Sequence, residues 1–332
     1  MRILVTGGAG YIGSHVVKEL LTAGHSLLTL DNLATGHRAS LVGGKFIECD
    51  LKNKKRLQEI FDQFQPQALI HLAADSLVGE SVERPQQYYH NNLLGSINLL
   101  DVMLDYGLKK IVYSSTAAVY GEAQEIPLRE DSPTNPTNPY GRSKLYFTRI
   151  MQDYERAYGL RFISLRYFNA SGADPSGRMG EDHNPETHLI PIVLERALGL
   201  REELVVFGTD YQTRDGTCIR DYIHVSDLAR AHLLAVEALA KGHSGAIYNL
   251  GSGTGYSVQE VIETAREITG SKIPCREGDR RPGDPPVLIA SSELIKKELG
   301  WQPEYQDLKL MIETAWRWHR NNPQGYRGRE SN

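Results

Sequence analysis

At 332 residues, 40% of them hydrophobic, the chain has material for about two domains with a substantial core. A formal net charge of −4 with no basic stripe gives no electrostatic reason to expect nucleic acid as a partner. No apolar run approaches the roughly 20 residues of a membrane span, and the opening Met-Arg-Ile-Leu-Val-Thr-Gly reads as a strand rather than a secretory signal, so a cytoplasmic chain without membrane contact is expected.

In chain order, strand-like runs are predicted at Ile3–Thr6, Ser26–Leu30, Lys45–Glu48, Ala68–Leu72, Ile111–Ser114 and Phe162–Leu165. Helical patterns lie between them at Tyr11–Ala23, Asn53–Phe64, Pro85–Tyr106 and Tyr140–Tyr158. Steady alternation of strand and helix argues an α/β fold: a Rossmann-type doubly wound parallel sheet with ligands at the carboxyl ends of its strands. After Asn169 the texture changes. Residues Ala170–Thr187 read as loop, followed by a helix at Leu189–Leu200, a strand at Leu204–Phe207 and a second loop through Arg220. A helix at Val225–Ala240 and a strand at Ala246–Leu250 suit a return to the first sheet. The expected division is therefore 1–169 as a nucleotide domain, with 221–250 rejoining it, and 170–332 as a smaller mixed α/β substrate domain. The tail mixes helices with a Pro-rich turn at Arg281–Pro286 and ends in a polar, frayed stretch, Gln324–Asn332. Cys49, Cys218 and Cys275 lie far apart, without a CxxC pair or metal-ligand spacing, so no metal is expected.

The first strand runs straight into Gly7-Gly8-Ala9-Gly10-Tyr11-Ile12-Gly13. Glycines at 7, 10 and 13 permit a tight turn that brings backbone to a pyrophosphate at a helix N-terminus. A glycine triplet alone also marks ordinary turns. Here it follows a strand, opens a helix and is followed by Asp31 at the end of the second strand, where an acid can bind adenosine ribose hydroxyls. That acid repels a 2′-phosphate, so NAD is expected over NADP. Gly251-Ser252-Gly253-Thr254-Gly255 also follows a strand, but no βαβ unit with an acid at the next strand end accompanies it, and it reads as a turn.

Oxidation of a carbinol needs a base for the hydroxyl proton. A tyrosine is a weak one, with an ordinary pKa of about 10, unless positive charge stabilises its phenolate; a lysine one helical turn away can do so. Tyr-x-x-x-Lys occurs three times. Tyr106/Lys110 straddles a helix end and a strand start, on the amino edge of the sheet. Tyr305/Lys309 sits in the tail beside Trp301 and Pro303. Tyr140/Lys144 opens a long helix and follows the strand ending Ser114-Ser115-Thr116, whose hydroxyls emerge at the carboxyl edge. Tyr140 with Lys144 is the expected catalytic pair.

Gly7-x-x-Gly10-x-x-Gly13, Ser115-Thr116 and Tyr140-x-x-x-Lys144 together resemble the extended short-chain dehydrogenase/reductase family, whose members typically work on nucleotide sugars. Gly79-Glu80-Ser81, Tyr88-Tyr89-His90-Asn91-Asn92, Arg166-Tyr167-Phe168-Asn169, Arg220 through Val225 and Tyr248-Asn249-Leu250-Gly251 are similar to the UDP-glucose 4-epimerase family within it, across nearly the whole chain. The resemblance implies bound NAD, with Gly7, Gly10, Tyr11 and Ile12 at the pyrophosphate and Asp31 with Asn32 at the adenosine ribose. It implies Asp50 and Leu51 beside adenine, and Leu72, Ala73, Asn91, Ser114 and Tyr167 along the cofactor channel. Tyr140 is then the base, Lys144 binds the nicotinamide ribose, and Thr116 bonds the sugar O4. Asn169, Leu189, Phe207, Arg220 and Arg281 would grip the UDP half of a UDP-hexose, the arginine forks matching phosphate oxygens.

The residues themselves leave alternatives open. Phe207 can be core, Arg220 can be engaged by its neighbour Asp221, and Asp31 can cap a loop. Ser76 stands where some of these epimerases carry lysine. Leu288 stands where they carry tyrosine or a small residue, which leaves acceptance of UDP-GalNAc and UDP-GlcNAc open. The implied activity interconverts UDP-galactose and UDP-glucose through transient C4 oxidation, and the implied assembly is a homodimer through the helices Pro85–Tyr106 and Tyr140–Tyr158. A nucleotide-sugar 4,6-dehydratase or decarboxylase competes, but the former carries carboxylates directly after the threonine, where Ala117 and Ala118 stand here. A non-catalytic NAD-sensing scaffold would have no reason to keep Tyr140, Lys144 and Thr116 in register.

Overall fold

The computed structural model describes residues 1–122, 125–243, 245–281 and 284–327. The first half alternates β1 (Arg2–Thr6), α1 (Tyr11–Thr22), β2 (Ser26–Asp31), β3 (Lys45–Glu48), α2 (Lys54–Phe64) and β4 (Ala68–His71). It continues with α3 (Val78–Glu83), α4 (Pro85–Tyr89), α5 (Gly95–Asp105), β5 (Lys110–Thr116), α6 (Pro139–Tyr158) and β6 (Arg161–Tyr167). The second half holds β7 (Asn169–Ser171), α7 (Leu189–Ala197), β8 (Val205–Phe207), β9 (Ile219–His224), α8 (Val225–Ala240), β10 (Ala246–Leu250) and β11 (Gly255–Ser257). The chain closes with α9 (Val258–Thr269), β12 (Arg276–Gly278), β13 (Val287–Leu288), α10 (Glu293–Leu299) and α11 (Leu308–Asn321).

Seven strands form one parallel sheet in the order β10-β6-β5-β4-β1-β2-β3. The period of two along β1 sends Ile3 and Val5 to one face and Leu4 to the other, and all three are fully buried. Ile3 and Val5 join a core with Val16, Val17 and Leu20 of α1 and Ala229 and Val236 of α8. Leu4 joins one with Leu57 and Phe61 of α2, Leu99 and Met103 of α5 and Phe147 of α6. The return to this sheet is made by α8 and β10, while β9 centres a second sheet with β11, β13 and β7. A third core, including Val193, Leu194, Ile262 and Ile312, lies among α7, α9 and α11. No helix among the described residues is long and apolar enough to cross a membrane.

Two expectations change. The helix expected over Pro85–Tyr106 is α4, a π-helical turn over His90–Leu94, then α5. The wider turn accompanies Asn92 being carried inward, where it is bonded on both sides (below). The tail is not frayed up to Arg327. Tyr326 is buried against Trp318 (ring centroids 4.7 Å apart), its N–H donates to Asp182 Oδ2 at 2.7 Å, and its hydroxyl accepts from the Gly180 N–H at 3.1 Å. Residues 328–332 of that tail, and Pro282 and Gly283 of the Pro-rich turn, lie outside the described residues.

Buried histidines set the acid limit of the fold. His71 sits between Thr6 Oγ1 and Ser96 Oγ, both at 2.7 Å, and His232 Nδ1 bonds the Leu228 carbonyl at 2.8 Å. Burial lowers His71 from 6.5 to about 3 and His232 from 6.5 to about 4. The unfolded chain therefore takes up these protons first as pH falls, so stability is whole above 6.5 and drains toward 4. Denaturant titration at about pH 5 is expected to give an unfolding free energy roughly 2 kcal/mol lower per ring than at about pH 7.5. Equal midpoints at the two values would contradict this.

Candidate active site

Strand order reverses about β1, which has β2 on one side and β4 on the other, so a crevice opens at their carboxyl ends. The glycine turn fills its floor. Gly7 has φ +72°, and a Cβ there would lie 2.4 Å from Ala73 N in the turn after β4. A Cβ on Gly13 would lie 2.0 Å from Gly7 O. At Gly10, the N-cap of α1, an added Cβ meets only Gly7 O at 3.4 Å, no side chain caps the helix, and no acid stands in its first turn. An uncapped helix start with open space before it suits the pyrophosphate of a dinucleotide. Tyr11 and Ile12 are the first two residues of that helix; the Tyr11 hydroxyl donates to Gly172 O at 2.7 Å.

Asp31 ends β2 and is buried. Its Oδ2 accepts from Ala9 N at 3.0 Å and its Oδ1 from Leu33 N at 2.9 Å, so it caps two turns at once. Burial raises its carboxyl, with these N–H bonds opposing. Each oxygen keeps a further acceptor site, so capping and ribose binding are compatible. Asn32 beside it is exposed and accepts from Ala34 N at 3.1 Å. Asp50 pairs with Lys52 at 3.3 Å just past β3, and Leu51 packs partly buried against the core. Leu72 and Ala73 donate from their backbone to Thr6 O at 3.0 and 3.1 Å. Asn91 reaches Asp75 from the π turn, and Ser76 is exposed. Asn92 received no role from its sequence, yet it is the buried member. Its Oδ1 accepts from Asp75 N at 2.9 Å and its Nδ2 donates to Asp75 O at 3.0 Å and Ser143 Oγ at 3.2 Å, tying the turn after β4 to α6.

Tyr140 is the second residue of α6, which starts on Pro139 with Asn138 accepting from Gly141 N at 2.9 Å. Its phenol lies near enough to Thr116, the last residue of β5, for that hydroxyl to favour its ionised form. Lys144 lies one turn on, 2% exposed, and its Nζ donates to Ser114 O at 2.9 Å, holding it 5.9 Å from the Tyr140 ring centroid. Ser114 Oγ bonds the Tyr167 hydroxyl at 2.9 Å and lies 3.5 Å from His232 Nε2. The structure thus brings Ser114, Thr116, Tyr140, Lys144 and Tyr167 together. Burial raises the Tyr140 phenol, the neighbouring Tyr167 adds to this, and nearby Thr116 opposes it. Burial lowers Lys144 to about 7. The other two tyrosine–lysine pairs serve elsewhere: Tyr106 caps the end of α5, and Tyr305 stacks on His224 with centroids 4.3 Å apart.

The remaining residues fall in two groups. Asn169 follows β6 and donates from Nδ2 to Asp221 O at 2.8 Å, while Leu288 of β13 is in register with Arg220 of β9. Arg220 is not engaged by Asp221. Its guanidinium meets Asp284 instead, because Asp221 faces the other way and accepts from Ser252 N at 2.7 Å, Gly253 N at 3.1 Å and Ala290 N at 3.0 Å. That carboxylate shapes Gly251–Gly255 as a turn. Phe207 is not core: it is 37% exposed at the end of β8, with the Arg281 guanidinium 4.1 Å from its ring centroid. Leu189 stands apart as the first residue of α7, packed against the third core.

Residues 3–251 match the NAD dependent epimerase/dehydratase family. The UDP-glucose 4-epimerase of Halalkalibacterium halodurans is 55% identical over 326 residues, 98% of each chain. The crystal structure of the Brucella ovis UDP-glucose 4-epimerase in complex with NAD is similar at 47% identity and a TM-score of 0.93, covering 95% of this chain and 97% of its own. The Bifidobacterium longum UDP-glucose 4-epimerase in complex with NAD+ and UDP is similar at 39% identity and a TM-score of 0.94, covering 98% and 100%. With the glycine turn, the tyrosine–lysine helix and the reversal of strand order all at one crevice, this chain belongs to the NAD dependent epimerase/dehydratase family, in its UDP-glucose 4-epimerase branch.

Proposed function

We propose that this protein interconverts UDP-galactose and UDP-glucose by transient oxidation at C4, keeping one NAD throughout. The observation that carries this reading is the meeting of Tyr140 and Lys144 with the end of β5, where Lys144 Nζ donates to Ser114 O at 2.9 Å and lies 5.9 Å from the Tyr140 ring centroid, at the same sheet edge as the glycine turn. When bound, NAD accepts the hydrogen of C4 and returns it. Asp31 receives the adenosine ribose on its free acceptor sites and turns away a 2′-phosphate. Tyr140 takes the O4 proton and gives it back, with Thr116 fixing O4 between the two hydroxyls. Burial holds the Tyr140 phenol above its ordinary range, so it needs positive charge nearby before it can accept a proton. Lys144, lowered to about 7, is poised to be charged or neutral near neutrality.

Arg220 and Arg281 take the diphosphate, Phe207 offers an open ring face to uracil, and Asn169 and Leu189 complete the grip. Anchoring the UDP half while holding the sugar loosely lets the 4-keto sugar turn over and be reduced on its other face. In this reading 1–169, with 221–250, holds NAD and 170–332 holds the UDP-sugar. The exposed Leu94 and Tyr146, on the helical segments at Pro85–Asp105 and Pro139–Tyr158, offer apolar surface to a second copy. Cys49, Cys218 and Cys275 are free thiols, which suits a reducing cytoplasm. Protein given UDP-galactose in heavy water without added NAD is expected to form UDP-glucose that keeps its C4 hydrogen. Absence of conversion, or deuterium at C4, overturns the proposal.

A further inference from the structure

Four side chains in the loop between β7 and α7 converge on one point. They are Glu181, His183, Glu186 and His188, and one ligand-type atom of each lies within 4.8 Å of all the others. His183 Nδ1 is 3.2 Å from Glu181 Oε1 and 3.6 Å from Glu186 Oε2. His188 Nδ1 is 2.7 Å from Glu181 Oε1 and 3.4 Å from Glu186 Oε1. The two carboxylate side chains are only 4% and 3% exposed. Despite these approaches, Glu181 Oε1 and His183 Nδ1 complete no hydrogen bond. Two buried ligand-type atoms left without a hydrogen bond, with two further ligand groups beside them, suit a cation.

We propose that Glu181, His183, Glu186 and His188 hold one divalent cation of the zinc class, which pins the loop before α7 to the start of α1. With metal–ligand bonds of about 2.0–2.1 Å, the ligand–ligand edges of a tetrahedron are about 3.3 Å. The imidazole–carboxylate separations, from 2.7 to 3.6 Å, lie about that length, the two histidines reaching different oxygens of Glu186. Two carboxylates with two neutral imidazoles carry the charge that neutralises a divalent ion, and nitrogen–oxygen donors of this kind suit zinc. Four protein donors leave no open position, so the site is structural.

The surroundings hold the donors in place. Glu186 Oε1 also accepts from Thr187 N at 2.7 Å and His188 N at 2.8 Å, and Trp318 Nε1 donates to Glu181 O at 2.9 Å. The His183 ring meets the edge of Tyr11, centroids 6.3 Å apart, at the first residue of α1, and His188 is the N-cap of α7. The expectation of no metal rested on the spacing of the cysteines, and this cluster uses none of them. Without a cation the same groups pair as ions: burial lowers His183, but the two carboxylates outweigh it and lift it to about 9.

The test uses the full, untagged chain with its dinucleotide, stripped of metal by a chelator and titrated with Zn2+ by calorimetry and with Co2+ by visible absorption. One equivalent per chain, a tetrahedral cobalt spectrum, and a loss of affinity of at least about 100-fold in each of His183→Gln and Glu186→Gln are expected, a loss at the upper end of that for a mere outer-shell partner. Should either variant fold poorly, the cobalt spectrum of the parent protein decides. Absence of saturable one-to-one binding, an octahedral or cysteine-ligated spectrum, or a folded variant that binds as tightly as the parent overturns the proposal.

Discussion

Replacing Tyr140 by phenylalanine is expected to lower kcat by about 1000-fold, within the range that a positioned acid–base group contributes, while NAD and UDP stay bound. The substitution is clean because the ring is held by burial and the helix start by Asn138 and Pro139, none of which depends on the hydroxyl. Thr116 keeps its bond from Ala118 N at 3.2 Å. What disappears is the phenol oxygen near Thr116. Steady-state turnover of UDP-galactose, with bound nucleotide measured after release by denaturation, reads the two effects separately. A loss under about tenfold would remove Tyr140 from the proton-transfer role.

Gly13→Ala is expected to empty the dinucleotide site and to destabilise the fold by about 2 kcal/mol, an overpacking cost. Helix propensity alone predicts the opposite sign, since alanine is better than glycine inside a helix by about 1 kcal/mol. The steric cost decides. The new Cβ would stand 2.0 Å from Gly7 O and 2.7 Å from Gly8 Cα, both backbone atoms. Gly7 cannot retreat, because its N–H is bonded to Leu30 O at 2.8 Å and its own Cα lies tight against the Ala73 turn. The turn must open, and the first N–H groups of α1 swing away from their common target. Denaturant unfolding and nucleotide content of the purified variant check both halves. A more stable variant that retains its nucleotide would show that this contact is not what the glycine is for.

Much of this site could be read along the chain. The strand, glycine turn and helix at Ile3–Ala23 are contiguous, and steric necessity at Gly7 and Gly13 follows from residues a few positions apart or from the strand that must lie beside them. Tyr140 was separable from Tyr106 because position in the alternation tells which strand end each one faces, and from Tyr305 because that residue lies in the tail beside Trp301 and Pro303. Asn92 was not legible: its three bonds reach Asp75 and Ser143, and a helical pattern gives no sign that the turn widens to a π turn there.

Local order along the chain therefore determined the elements, their parallel alternation and the chemistry of the turn and the Tyr140 helix. Tertiary structure alone decided how side chains were shared out among distant partners. Arg220 and Asp221 are neighbours whose side chains leave opposite faces of β9, so one meets Asp284 and the other the turn at Ser252 and Gly253. Tyr326 is ordered by Asp182, far back along the chain, and by Trp318. Periodicity reports which face a residue lies on; who occupies the space beyond that face depends on chain brought back from far away, and no short-range pattern contains it.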